Sequence, residues 1–332
     1  MASSFMTGVT GAACIAMGLI ALPAMLKRGY DKRLAIGSVL GPSTLGILIP
    51  PSIIMVFIAV VGQMSVGKLF IAGVMPGLLI ASLFIGYYAI RGLVQPKACP
   101  ASPLRYSLRE KIAASRGIVL PLFIILAVLG SIFFGIATPT EASAVGAFVC
   151  LIAVAIQRRF TWKLLKEAAY EAFKINALCM WITFGAICFS TFYAHAGGTE
   201  FISRMLLGLG LGRWGILILI QVLLFALGLF LDNFAVILLI APVALPVIRA
   251  LGFDPIWFAI LFVINTQIAY ISPPFGYNLF YMSGIALPGI TLGDIYRAAI
   301  VPMIILAIGL ALVTIFPEIA LWLPRLMIQP GR

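Results

Sequence analysis

Two proline pairs, Pro50-Pro51 and Pro273-Pro274, each follow small polar residues inside an otherwise apolar stretch. Gly41, Ser43, Thr44 and Gly46 precede the first pair, and Ser52 follows it. Asn265, Thr266, Gln267 and Ser272 precede the second, and Gly276 and Asn278 follow it. A proline pair removes two amide donors and clashes with the carbonyls behind it, so a helix opens there. Freed carbonyls together with hydroxyl and amide oxygens suit Na⁺. The half-helix that resumes offers free N–H groups and the positive end of its dipole, which suits a carboxylate. A structural kink needs only one such pair. Two matched pairs with polar approaches predict cation and anion elements side by side.

A further polar feature, Leu231-Asp232-Asn233, lies between two apolar arms in residues 214–250. A carboxylate at membrane depth is costly and therefore functional by default. Asp232 has two open roles: binding the cation, or capping the second arm by accepting from its free amides. Thr7–Ala12, with Thr10 and Gly11, has the composition of a matching tip, and Ala13–Leu26 would be its second arm. Enzymatic readings fail for lack of partners. The five cysteines are scattered without ligand spacing, and His195 is the sole histidine. Asp232 has no second catalytic group beside it in the sequence, so no intramembrane enzyme and no transition-metal site is expected.

The elements that hold these residues are repeated. Ala21–Pro51 aligns without a gap on Ala244–Pro274, an offset of 223 positions (Ala21 to Ala244). The two prolines, Gly29/Gly252 and Asp31/Asp254 are among the identities, and Tyr30 faces Phe253. The chain is 63% hydrophobic and 10% charged, which a water-soluble domain could not bury. Charge-free stretches long enough to span a bilayer include residues 69–90, 117–136, 142–157, 175–194 and 298–316. The net charge of +12 does not read as nucleic-acid binding, because the basic residues sit between spans and form no single stripe. Fifteen of the 22 fall in residues 27–33, 91–116 and 158–174, while 136–141 and 195–200 carry no Lys or Arg. Excess Lys and Arg marks the cytoplasmic side.

Five crossings separate the two copies, and an odd number inverts the second relative to the first. That parity requires residues 214–250 to enter and leave from the outside as a re-entrant hairpin. Thr161–Phe173 reads as an amphipathic connector along the cytoplasmic interface. Thr138, Pro139 and Glu141 form the pattern of a capping box at a helix start. The fold class is an all-α polytopic membrane protein with inverted repeats, discontinuous helices and re-entrant hairpins.

The stretches Ala21–Asp31, Gly41–Ser52, Ala137–Ala147, Gly252–Phe258 and Ser272–Phe280 together resemble the large membrane subunit of TRAP transporters, the DctM type. The resemblance covers nearly the whole chain. It implies a Na⁺-driven importer of small organic anions, usually carboxylates, in the bacterial inner membrane, with no organic cofactor. It also implies a periplasmic substrate-binding protein, a small four-helix membrane subunit and an elevator mechanism. Carried onto this sequence, it points to Ser43, Thr44, Gly46 and Pro50 for one ion. Thr266, Gln267, Ser272 and Pro273, with Asp232 or Asn233, would serve a second. Thr10, Gly11, Ser52, Gly276 and Asn278 are the expected contacts of the anion.

Two departures stand out. The family's first tip often carries an extra hydroxyl, where this chain has Gly8-Val9-Thr10-Gly11-Ala12. The repeat also implies about a hundred residues ahead of Met1. The expected organisation is thus a first repeat lacking its N-terminal part (1–92), a cytoplasmic linker (93–116) and a second, inverted repeat (117–332). A stand-alone Na⁺/dicarboxylate elevator symporter and an inactive permease fragment are the competing readings.

Overall fold

The computed structural model describes residues 10–100, 107–198, 201, 204–205, 208, 210–285 and 289–327. Thr7, Gly8 and Val9 of the expected first tip, and Arg105 of the expected linker, lie outside them. The described residues form helices and contain no strand.

The first copy comprises α1 (Thr10–Lys27), α2 (Lys32–Ser43), a 3₁₀ turn (Thr44–Ile47), α3 (Ile53–Val61) and α4 (Val66–Val94). Then come α5 (Leu108–Phe133), α6 (Pro139–Ile156) and α7 (Trp162–His195). The second copy follows as α8 (Gly212–Gly228), α9 (Asn233–Ala250), α10 (Pro255–Tyr270), α11 (Tyr277–Gly284) and α12 (Leu292–Ile315), closed by the short α13 (Glu318–Arg325). Six of these helices, α1, α4, α6, α7, α9 and α12, are long and apolar enough to cross a membrane.

The sequence repeat is a structural repeat. Shifted by the offset, α1 falls on α9 at both ends, α2 with its 3₁₀ turn falls on α10, α3 on α11 and α4 on α12. The shared identities explain why. Gly29 at φ +80° and Gly252 at φ +75° end α1 and α9 in the left-handed region, where a side chain would be strained. Asp31 then caps α2 by accepting from Leu34 N at 3.0 Å. Asp254 caps α10 by accepting from Ile256 N at 2.7 Å. Each hairpin arm is thereby turned into the broken helix beside it.

The two copies run in opposite directions. Lys32, at the start of α2, donates to Gly289 O, past the end of α11, at 2.9 Å. Arg249, at the end of α9, donates to Gly62 O, at the end of α3, at 2.8 Å. Arg249 thereby meets the negative end of a half-helix from the opposite copy. The Asp31 amide also donates to Ala98 O, placing the chain after α4 beside the start of α2. The expected capping box is present at α6, where Glu141 and Thr138 bond reciprocally.

One expectation is corrected. Thr161–Phe173 is no separate interfacial connector, because residues 162–195 form one unbroken helix, about 51 Å long at 1.5 Å per residue. Nothing between Phe173 and Ile175 breaks it, and the Lys174–Glu171 pair at 2.9 Å bridges the supposed junction along one face. Its middle packs against α3 and α9.

Candidate functional site

At the first break α2 tightens into the 3₁₀ turn and α3 resumes after Ser52. Ser52 accepts from Met55 N at 3.3 Å, capping α3, and donates to Ile47 O at 2.6 Å. One hydroxyl thus ties the two half-helices together. At the second break α10 ends at Tyr270, and Ser272 donates to Ile268 O at 2.7 Å. Here the resuming helix begins at Gly276 with no side-chain cap. A Cβ at Gly276 would lie 2.7 Å from Tyr270 O and 2.9 Å from Ser272 O, so only glycine fits. The peptide bonds Pro50-Pro51 and Pro273-Pro274 are both cis. The opened backbone of the first break is accommodated by Gly73 of α4, whose Cα faces Leu48 O.

Both tips and both breaks converge on one cavity of about 230 Å³. Thr10 and Gly11 enter it from the start of α1, and Asp232, Asn233 and Phe234 from the start of α9. Ile47, Ile53 and Ile54 come from the first break; Tyr270, Tyr277 and Tyr281 come from the second. Among the described residues no Lys, Arg or His lines it. The α8–α9 turn is held in place by Tyr270, whose hydroxyl accepts from Asn233 N at 3.2 Å. Asp232 caps α9, accepting from Ala235 N at 3.0 Å. The capping role is therefore filled, and it uses one carboxylate oxygen, Oδ1. Gly11 lies so close to the Tyr281 ring that a Cβ there would meet it at 2.6 Å.

Of the expected residues, Thr10, Gly11, Asp232 and Asn233 line this cavity. Ser43 and Asn278 meet elsewhere: Asn278 Nδ2 donates to Ser43 Oγ at 3.1 Å, joining the first broken helix to the second half-helix. Cys14 Sγ donates to Asn278 O at 3.8 Å from α1. Ser43, Thr44 and Thr266 are buried and donate to carbonyls of their own helices, Leu40 O at 2.7 Å, Gly41 O at 2.8 Å and Val263 O at 2.9 Å. Their protons are thus engaged while hydroxyl lone pairs stay available. Gly46, Pro50 and Ser52 are buried, whereas Pro273 is exposed. Gln267 is fully buried with neither side-chain atom bonded. Asn278 Oδ1 and Asn233 Nδ2 are likewise buried and unpartnered. Such atoms are rare in folded proteins, and they concentrate here beside unwound backbone.

The sequence reading missed Tyr270, Tyr277 and Tyr281. Their signal was aromatic residues on both sides of the second proline pair, two of them one helical turn apart. It named Asn265 but not its partner: Asn265 Nδ2 donates to Gln221 O at 2.8 Å and Oε1 at 2.6 Å, joining α10 to α8.

An all-α membrane protein with two antiparallel copies, broken helices and a cavity at their junction has the architecture of a transport permease. The family model for the DctM component of the tripartite ATP-independent periplasmic transporters matches residues 1–319, and the chain belongs to that family. The C4-dicarboxylate TRAP transporter large permease DctM of Pseudomonas aeruginosa is 38% identical over 325 residues, covering 96% of this chain and 74% of that protein. Its counterpart in Rhodobacter capsulatus is 34% identical, over 97% of this chain and 75% of its own length. The sialic acid TRAP transporter large permease SiaM of Vibrio cholerae is 31% identical, over 100% and 78%. The chain is thus a TRAP transporter permease subunit and not an enzyme.

Proposed function

We propose that this chain carries a small carboxylate across the bacterial inner membrane in symport with Na⁺. In this reading a periplasmic substrate-binding protein delivers the anion, and a small four-helix membrane subunit completes the permease. The observation that carries it is the cavity where the starts of α1 and α9 and both breaks meet, with no Lys, Arg or His among the described residues that line it. A carboxylate entering it gains donors from the free amides at the half-helix starts, the Asn233 amide and the tyrosine hydroxyls. Its charge still needs a counter-charge, and Na⁺ bound by neighbouring oxygens supplies one. The donor set fits: buried hydroxyls at Ser43, Thr44, Thr266 and Ser272, unpartnered carbonyl oxygens on Gln267 and Asn278, and freed backbone carbonyls.

Gly46, Pro50 and Pro273 contribute by opening the backbone, and Ser52 and Gly276 by starting the half-helices. The cavity's size and the similarity to the two C4-dicarboxylate permeases favour a short dicarboxylate. Movement follows an elevator, with the two copies travelling as a unit against α5–α7. The test is uptake of labelled succinate into proteoliposomes holding the complete permease, with binding protein outside. An inward Na⁺ gradient is expected to drive accumulation. Equal uptake with and without that gradient sinks the Na⁺ reading, and full uptake without binding protein favours a stand-alone symporter.

A further inference from the structure

A second cavity, of about 340 Å³, opens where α2, α4 and α12 converge at the face that carries the basic segments. Three arginines from three helices line it: Arg33 of α2, Arg91 of α4 and Arg297 of α12. Tyr87 and Tyr88 line it as well, and the Tyr88 hydroxyl is buried without a hydrogen-bond partner. Among the described residues none of the three guanidiniums forms a hydrogen bond or an ion pair. The one carboxylate in the lining, Asp31, is engaged as the cap of α2. Asp294 lies near enough to Lys32 and Arg33 to feel their charge, and its Oδ2 accepts from both the backbone N–H and the hydroxyl of Thr291.

An excess of basic residues on one membrane face explains the sign of this charge, but not its convergence. The opposite copy supplies the control. Advancing Tyr87, Tyr88 and Arg91 by the repeat offset gives Leu310, Ala311 and Thr314, which line an apolar cavity of about 490 Å³ beside α8 and α10. Arg33 becomes Ile256, and Leu34 becomes Trp257, whose indole N–H donates to Val313 O at 2.8 Å. At the positions related by the offset the three arginines are thus Ile256, Thr314 and Val74, so the guanidinium cluster belongs to one copy only. Arginine presents a planar fork that matches phosphate oxygens in pairs.

We propose that the Arg33–Arg91–Arg297 cavity binds a phosphate oxyanion at the cytoplasmic face and thereby clamps α2, α4 and α12. An anionic phospholipid headgroup of the inner leaflet and free phosphate present the same group. A surface arginine contributes about fivefold in affinity for an anionic headgroup, so each one removed costs that factor.

The test uses the complete permease purified in detergent. Native mass spectrometry reads retained phosphatidylglycerol against phosphatidylcholine, and thermal unfolding is compared in inorganic phosphate and in chloride at equal ionic strength. The variants are R33Q/R91Q/R297Q and a control, K163Q/K166Q/K174Q, that removes equal charge from α7. Phosphatidylglycerol retained by wild type and control but lost by the arginine variant assigns the lipid. A phosphate-specific thermal shift with the same pattern, without lipid selectivity, assigns the free anion. Equal lipid retention in all three proteins, with no phosphate-specific shift, overturns the proposal. Should the triple variant fail to fold, R297Q alone, at an exposed position of α12, is expected to lose about fivefold, and no loss counts against the site.

Discussion

The two helix breaks share a register, a proline pair and an aspartate-capped entry, yet they are finished differently. The first is sealed. Ser52 bridges Ile47 O and Met55 N, Pro50 is buried, and Gly73 lets α4 close over the Leu48 carbonyl. The second is open. Pro51 and Pro274 are exposed alike, but Pro273 and Phe275 are exposed where their counterparts Pro50 and Ser52 are buried, no side chain caps α11, and the flanking Tyr270 and Tyr277 face the cavity. Pseudo-symmetry builds the cavity from both copies, but it does not make them interchangeable. Both breaks line the cavity, the sealed one with Ile47, Ile53 and Ile54 and the open one with Tyr270, Tyr277 and Tyr281.

Gly276→Ala gives the sharpest way to break this contrast. Its Cβ would push against the Tyr270 and Ser272 carbonyls at the open break. Displacements of that size at a binding site cost about 10²-fold in rate, so succinate uptake should fall by that order while folded protein is retained. Wild-type uptake by this variant would show that the open break is not part of the site.

The two capping residues separate next. Asp232→Asn keeps a good N-cap but removes the charge. A rise of about tenfold in the Na⁺ concentration needed for half-maximal uptake, near 1.4 kcal/mol, is expected if the carboxylate faces the ion, with unfolding unchanged. Unaltered Na⁺ activation would leave Asp232 as a cap alone. Ser52→Ala should do the reverse. Loss of its cap lowers stability by about 1 kcal/mol, read as a lower melting temperature, with Na⁺ activation preserved.

Much of this was legible in the sequence because the signals were backbone signals. Proline pairs, Gly29 and Gly252, and the Asp31 and Asp254 caps act locally, and they fixed breaks and turns at the right residues. The Leu231–Asn233 tip was legible for the same reason, as a polar dipeptide between two apolar arms. Which side chains then share a cavity depends on how α1, α9, α3 and α11 approach one another, and no local pattern records that. Hence Tyr270, Tyr277 and Tyr281 were missed, Ser43 and Asn278 were not seen as partners, and Asn265 was not paired with Gln221. Residues 162–195 failed in the opposite sense: an amphipathic stretch and an apolar span looked like two elements, but nothing breaks the backbone between them.

The antiparallel latches test the comparison at lower amplitude. Arg249→Gln removes a partly buried charged bond to Gly62 O at the far end of α3, at a cost of about 1.5–3 kcal/mol. Lys32→Gln removes an exposed bond to Gly289 O, worth at most about 1 kcal/mol. Melting temperatures of the two variants check the order. A larger loss for Lys32→Gln would contradict the view that the first half-helix is anchored more firmly than the second.

The smallest effect concerns pH. Glu141 and Asp294 sit at exposed helix starts, each held below the ordinary carboxylate range first by a backbone N–H, of Thr138 and Thr291, and then by the hydroxyl of the same threonine. For Asp294, Lys32 and Arg33 add to the lowering. A depressed folded pKa means that the cap's contribution is fully present above the unfolded value and is lost as pH falls through the lower folded one. Unfolding measured between pH 8 and pH 5 should therefore show no pH dependence from either cap, with any loss confined below about pH 4. Because neither carboxylate touches the cavity, Glu141→Gln should leave the pH profile of uptake unchanged. A shift of that profile would mean that the helix start at α6 is coupled to the site, and that the two copies do not work independently of the helices between them.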